Sequence, residues 1–267
     1  LTVTAFEGTK PNRMRIEEHI DELRVDGTAL ATLAAAGDLG AAVPTCPGWR
    51  IRDLLHHLGG VHRWATNYVA TARTTMVEDA DDLEKLVGGW PPDGDLVGWF
   101  EQGHSALVAA LERAPDDLAC WTFLAAPSPR AFWARRQAHE TAVHLADALS
   151  VSGAPAAFPT PFAADGVEEL LFAFGGRRRA GMRTPVERTL MLQATDLDAR
   201  WHVRLTPGDP GDIVATREDG DAECTVAAAT SDLYLLLWNR RAAEGLGVEG
   251  DPGVLDLWRE QVRITWS

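Results

Sequence analysis

Cysteine, lysine and tyrosine are scarce in this chain. Its 267 residues include three cysteines and two tyrosines, and Lys10 and Lys85 are the only lysines. Cys46, Cys120 and Cys224 are odd in number, far apart and without a C-x-x-C pair. That excludes a disulfide framework and a cysteine-rich zinc site, and predicts a reducing cytoplasm. No apolar run approaches the ~20 residues that a membrane helix needs, and the opening, Leu1 to Arg15, lacks a basic-then-apolar leader pattern. Positive charge is short as well: 39 acidic against 25 basic side chains leave a formal net charge of -14. Phosphate backbones and anionic lipid would repel such a chain, so neither nucleic acid nor a membrane is an expected partner.

What is present suits two ordinary domains. Hydrophobic residues make up 46% of the chain, enough to build two cores over this length. From Met14 to about Ala36, Ile16, Ile20, Leu23, Leu30 and Leu33 recur at helical spacing. After the breaker cluster Val43-Pro44-Thr45-Cys46-Pro47-Gly48, a second helical face runs through Leu54, Leu58, Val61, Ala65 and Tyr68. Further helices are expected from Leu96 to about Leu111 and from Ala131 to about Leu149. The connection from Val77 to Gly94 is long enough for a short helix. Four helices with polar connections predict an antiparallel bundle over residues 1–151.

Composition then changes. Residues 152–162 carry three prolines and read as a linker. Over residues 163–267 the period switches to that of strands, at Thr189–Thr195, Trp201–Thr206, Ile213–Thr216 and Cys224–Ala228. Val167 to Phe174 and Leu233 to Arg241 read as helices. The expected fold is α plus α+β: a four-helix bundle followed by a small α+β domain with an antiparallel sheet.

The chemistry-bearing residues lie on two of the helices. Glu140 and His144 are one turn apart on one face of the last bundle helix, and Trp133, Gln137 and Asp147 share that face. A core-facing stripe with this many polar groups demands that each be paired or ligated. His139-Glu140-Thr141-Ala142-Val143-His144 imitates the zinc-protease motif H-E-x-x-H but has one residue too many. Its histidines stand about 140° apart around the helix, so that reading fails. On the second helix His57 falls within about 60° of the apolar stripe, His56 is almost opposite it, toward solvent, and His62 lies on its flank. His57, Glu140 and His144 would offer a metal two imidazoles and one carboxylate, leaving positions for water or substrate, as catalytic sites do. Zinc is the first choice; non-haem iron and nickel suit the same set. The same spacing also occurs in surface Glu–His contacts and in hydrogen-bonded core histidines, the reading given to His104, His139 and His202. Asp147 is either a partner orienting a ligand imidazole or half of an interhelical salt bridge. Trp49, Trp64 and Trp133 suit either a pocket mouth or the core, and Cys46 is expected to pack as a small hydrophobe in its turn.

Val43-Pro44-Thr45-Cys46-Pro47-Gly48-Trp49 with Asp53 to Trp64, and Gln137 to His144 with Asp147, resemble the two motifs of the mycothiol-dependent maleylpyruvate isomerase family. Leu233–Arg241 and Val248-Glu249-Gly250-Asp251 extend the resemblance into the second domain. It implies a DinB-like bundle that binds a divalent metal, usually zinc, through one histidine of the second helix and a Glu-x-x-x-His pair. Those positions match His57, Glu140 and His144. It also implies a sterol-carrier-like C-terminal domain and the use of mycothiol, a low-molecular-weight thiol of actinobacteria, on a small electrophile. In the isomerase itself the thiolate adds to a cis enoyl carbon, the bond rotates, and elimination gives the trans isomer. The resemblance points to an arginine of the C-terminal domain for the substrate anion. Arg240 is the nearest match and Arg241 is next to it, although cations at a helix C-terminus serve the helix dipole equally well. Arg63, Arg135 and Arg136 lie near the metal helices and are alternative anion sites.

The expected function is a metal-dependent enzyme that isomerises or S-conjugates a small electrophile with mycothiol. A non-catalytic binding protein with a structural metal, or a metal- or redox-responsive partner, is the competing expectation.

Overall fold

A computed structural model describes residues 14–77, 80–175 and 182–262. The chain divides into two compact units, Arg15–Ala156 and the residues from Ala157 onward.

The first unit is built from α1 (Ile16–Ala36), α2 (Ile51–Thr71), α3 (Ala80–Val87), α4 (Asp93–Arg113) and α5 (Pro129–Ser150). The helix starts follow local chemistry. The Arg15 and Arg50 backbone N–H groups donate to Glu18 and Asp53, each at 2.7 Å, and so tie down the entries to α1 and α2. Ser128 caps α5 by accepting from the Ala131 N–H at 3.1 Å, with Pro129 in the first turn. α3 is the short helix anticipated between Val77 and Gly94.

α5 is the central element. It packs against α1, α2 and α4 and is buried almost without interruption from Phe132 to Ala148. Trp133 is sealed in an aromatic cluster with Trp64, Tyr68, Trp121 and Phe123, and its indole N–H donates to the Trp121 carbonyl at 3.1 Å. Trp133 is therefore a core residue, and Trp64, half-buried, packs at the edge of that cluster. α2 meets α4 closely at Gly59, where a Cβ would lie 2.1 Å from the Trp99 ring; only glycine admits that approach. Leu33, expected on the buried stripe of α1, is instead 38% exposed, and the smaller Ala34 faces inward.

The second unit begins with α6 (Thr160–Glu168), which runs directly into a π-helical turn, Glu169–Phe174. Helix thus starts earlier than periodicity suggested, because Pro161 sits in the first turn, where its missing N–H costs nothing. The strands are β1 (Met182–Thr184), β2 (Arg188–Ala194), β3 (Arg200–Leu205), β4 (Gly208–Gly211), β5 (Ile213–Thr216), β6 (Cys224–Ala228) and β7 (Gly247–Gly250), with α7 (Thr230–Leu237) and α8 (Gly253–Gln261). The five-stranded sheet has the order β5-β3-β2-β6-β7. It is antiparallel except that β2 and β6 run parallel, Leu192 facing Val226. β1 and β4 form a separate ribbon. Gly208-Asp209-Pro210-Gly211 reads as a turn, yet it pairs as a short strand because such a ribbon leaves one strand side free of ladder bonds.

α7 stops at Leu237, short of the expected Arg241. Asn239 takes a positive φ of 59° and ends the helical path, leaving Arg240 and Arg241 just beyond the last turn.

Candidate metal centre

α2 and α5 bring His57, Glu140 and His144 together. Their ligand atoms all lie within 4.8 Å of one another. Glu140 Oε1 sits 3.1 Å from His57 Nε2 and 3.5 Å from His144 Nε2. Four ligands about 2.0–2.2 Å from a tetrahedral ion stand roughly 3.3–3.6 Å apart, so the two spacings fit a metal with little adjustment. Glu140 and His144 are nearly buried, whereas the His57 side chain keeps 19% of its surface exposed and marks the open side.

Two of the three ligand candidates, Glu140 and His144, are gripped from behind. Arg136, one turn before Glu140, directs Nη2 to Glu140 Oε2 at 3.0 Å. His144 Nδ1 lies 2.8 Å from Asp147 Oδ2. Asp147 in turn accepts the Thr45 hydroxyl at 2.5 Å and the Cys46 thiol at 3.2 Å. Burial works against the Glu140 charge, but hydrogen bonds from His144 and His57, with the Arg136 charge, hold its pKa well below the ordinary carboxylate value. For His144, burial lowers the pKa, and the bonds to Asp147 and Glu140 outweigh it, leaving a net rise.

The turn before α2 supplies the outer partners. Val43 N–H donates to the Trp49 carbonyl at 2.9 Å and Trp49 N–H to the Cys46 carbonyl at 2.9 Å, with Gly48 at φ +89° closing the loop. The closed turn points Thr45 and Cys46 at Asp147. It also sets the Trp49 indole 5.2 Å from the His57 ring and nearly parallel to the His144 ring at 6.0 Å. Cys46 is thus a hydrogen-bond donor rather than the small hydrophobe expected. The polar member of V-P-T-C-P-G-W that sequence reading passed over is Thr45; the paired Thr and Cys ahead of the helix were its only visible signal.

The remaining candidates are placed elsewhere. His56 does not point to solvent: it is half-buried, 3.1 Å from the Pro91 carbonyl and flanked by Trp90 and Trp99. His62 and His104 are buried, near Thr141 Oγ1 at 3.0 Å and the Leu23 carbonyl at 2.9 Å. His139 lies against His19, and His202 is 3.0 Å from the Asp221 carbonyl. Arg63 donates to the Gly59 and Trp99 carbonyls and covers the Trp99 ring. Those bonds remove Arg63 from the anion candidates. Arg240 belongs to the second unit, where Nη1 donates to the Trp238 carbonyl at 2.8 Å, and Arg241 is paired with Asp232.

Residues 20–149 match the family model of the mycothiol maleylpyruvate isomerase N-terminal domain, and residues 161–257 match that of the same family's C-terminal domain. The chain belongs to the mycothiol-dependent maleylpyruvate isomerase family. The crystal structure of the mycothiol-dependent maleylpyruvate isomerase superposes with a TM-score of 0.60 at 15% identity, covering 88% of this chain and 93% of that chain. A mutant of that enzyme with one histidine replaced by alanine gives the same values. At this identity the likeness establishes the fold. No curated protein matches the chain in sequence. Within the family, this chain places its His57–Glu140–His144 group in the N-terminal domain and Arg240 in the C-terminal one.

Proposed function

We propose that the chain is a mycothiol-dependent enzyme whose bundle holds one divalent ion, zinc by preference, on His57, Glu140 and His144. The observation that carries this reading is the single oxygen, Glu140 Oε1, facing two imidazole Nε2 atoms at 3.1 and 3.5 Å while the other oxygen is occupied by Arg136. An ion bound there would lower the pKa of a thiol and present it as a nucleophile at neutral pH. The protein's own groups set the conditions. Asp147 holds His144 with Nε2 turned to the site. Trp49 shields the imidazoles on one side, and the partly exposed His57 edge leaves an approach for thiol and electrophile. Arg240 is offered for the substrate carboxylate on the family resemblance alone. A reducing cytoplasm accords with three free thiols at Cys46, Cys120 and Cys224.

Two imidazoles and a carboxylate leave room for an exogenous ligand, which favours catalysis over a closed structural site. Cys46, the nearby sulfur, is engaged with Asp147. Elemental analysis of the purified chain should find about one divalent ion, lost in His57→Ala and His144→Ala. Mycothiol should bind the loaded protein tightly and the stripped protein poorly. A chain free of metal, or thiol binding indifferent to metal, would refute the proposal.

A further inference from the structure

The two oxygens of Glu140 face different groups. Oε1 looks toward His57 and His144, and Oε2 accepts from Arg136 Nη2 at 3.0 Å. Arg136 is only 1% exposed, so its guanidinium is shut away from solvent and from a substrate anion arriving from outside. That removes it from the anion candidates and poses a question: a buried cation beside a cation-binding site repels the ion it neighbours. Neutralising a buried carboxylate is one purpose, and arginine, more weakly hydrated than lysine, suits it. Its planar, rigid fork differs from a lysine ammonium in fixing the direction of the oxygen it binds.

We infer that Arg136 is a positioning residue that ties down Glu140 Oε2, so that Glu140 offers the metal one oxygen and leaves the rest of its coordination sphere to thiol and substrate. The inference rests on the metal reading above. By sharing the carboxylate charge, the guanidinium also leaves the ion more electron-poor, which favours thiolate over thiol at the vacant position. The spacing explains the residue choice. Positions 136 and 140 lie one turn apart on α5, the helix that carries two of the three ligands, so the contact survives any movement of α2.

The test uses the full chain, stripped with chelator and reloaded with zinc or cobalt alone. Arg136→Lys keeps the buried charge and should fold, yet bind zinc roughly 10–100-fold more weakly in chelator competition, the usual effect of losing a partner behind a ligand. Its cobalt form should absorb several-fold more weakly in the visible, as coordination rises when Glu140 swings to bind through both oxygens. Arg136→Gln, which removes the charge as well as the fork, should show the same weakened cobalt absorption. A purely structural arginine would lower the melting temperature of stripped and loaded protein alike, with zinc affinity and cobalt spectrum unchanged. That result, or an Arg136→Lys chain that fails to fold, would overturn the inference. Failure of the native chain to bind zinc would instead overturn the metal reading itself.

Discussion

His144 Nδ1 lies 2.8 Å from Oδ2 of Asp147, an aspartate with no exposed surface, which leaves Nε2 of the same ring facing Glu140. The carboxylate fixes both the tautomer and the direction of the imidazole. Asp147→Asn preserves shape but removes the charge. Zinc affinity should fall about 10-fold or more, and Asp147→Ala should cost more still. Competition against a chromophoric chelator measures both.

Thr45 and Cys46 hold that aspartate across 102 and 101 residues of chain. A hydrogen bond to a charged, buried acceptor is worth about 1.5–3 kcal/mol. Thr45→Val should therefore lower the unfolding free energy by about that amount and loosen metal binding modestly. Cys46→Ser, which keeps a donor, should change both less than Cys46→Ala. Denaturant unfolding of the metal-free proteins gives the comparison.

Asp26 on α1 is 5% exposed, and its Oδ2 has no hydrogen-bond partner among the described residues. Burial, helped by the neighbouring Glu22 charge, raises its pKa from 3.8 to about 7. The folded chain therefore keeps this proton while the unfolded chain gives it up. The resulting cost to stability grows as pH rises from about 4 to about 7 and is constant above. Asp26→Asn should stabilise the protein at pH 8, by up to about 4 kcal/mol, and lose its advantage near pH 4. Chemical denaturation at the two pH values decides it.

His62 and His104 behave in the opposite sense. Burial, and for His62 also the His104 charge, depresses both pKa values below the ordinary 6.5. Folded and neutral, they contribute stability that is complete above pH 6.5 and declines as the unfolded chain takes up protons below it. His62→Gln, which keeps a partner for Thr141, should flatten the fall in melting temperature between pH 7 and pH 5. An unchanged slope would show that these rings charge freely in the fold.

Trp49 lies nearly parallel to His144, at a 10° interplanar angle, and edge-on to His57. Loading the site should change tryptophan emission, and Trp49→Phe should remove most of that change although nine other tryptophans remain (10 in the sequence). A fluorescence titration with zinc measures both.

Local pattern carried most of the helical unit. Apolar spacing marked the four long helices, and the angular offset between His56 and His57 separated an inward ring from one on the other side. The Glu140–His144 spacing needed no knowledge of partners, because one helix turn determines it. Ranges in the second unit were read almost as well for the strands with alternating or β-branched residues. β1, β4, β7 and α8 were not anticipated; Gly208-Asp209-Pro210-Gly211 and Gly247-Val248-Glu249-Gly250 carry no strand pattern of their own. Their partners alone make β4 and β7 strands.

The amino-acid order by itself determined which side chains share a face of α2 or α5, since helix geometry repeats without reference to anything distant. Only the tertiary structure decided that Thr45 and Cys46 reach Asp147, that His56 is covered beneath Trp90 and Trp99, and that Arg136 turns inward to Glu140. The first pairing crosses 102 and 101 residues of chain, and the second crosses tens. Arg136 could be set four residues from Glu140 by counting, yet its burial depended on the helices that close around α5. Periodicity describes one element's faces; the cost of burying a polar group is settled by whichever neighbour arrives to meet it.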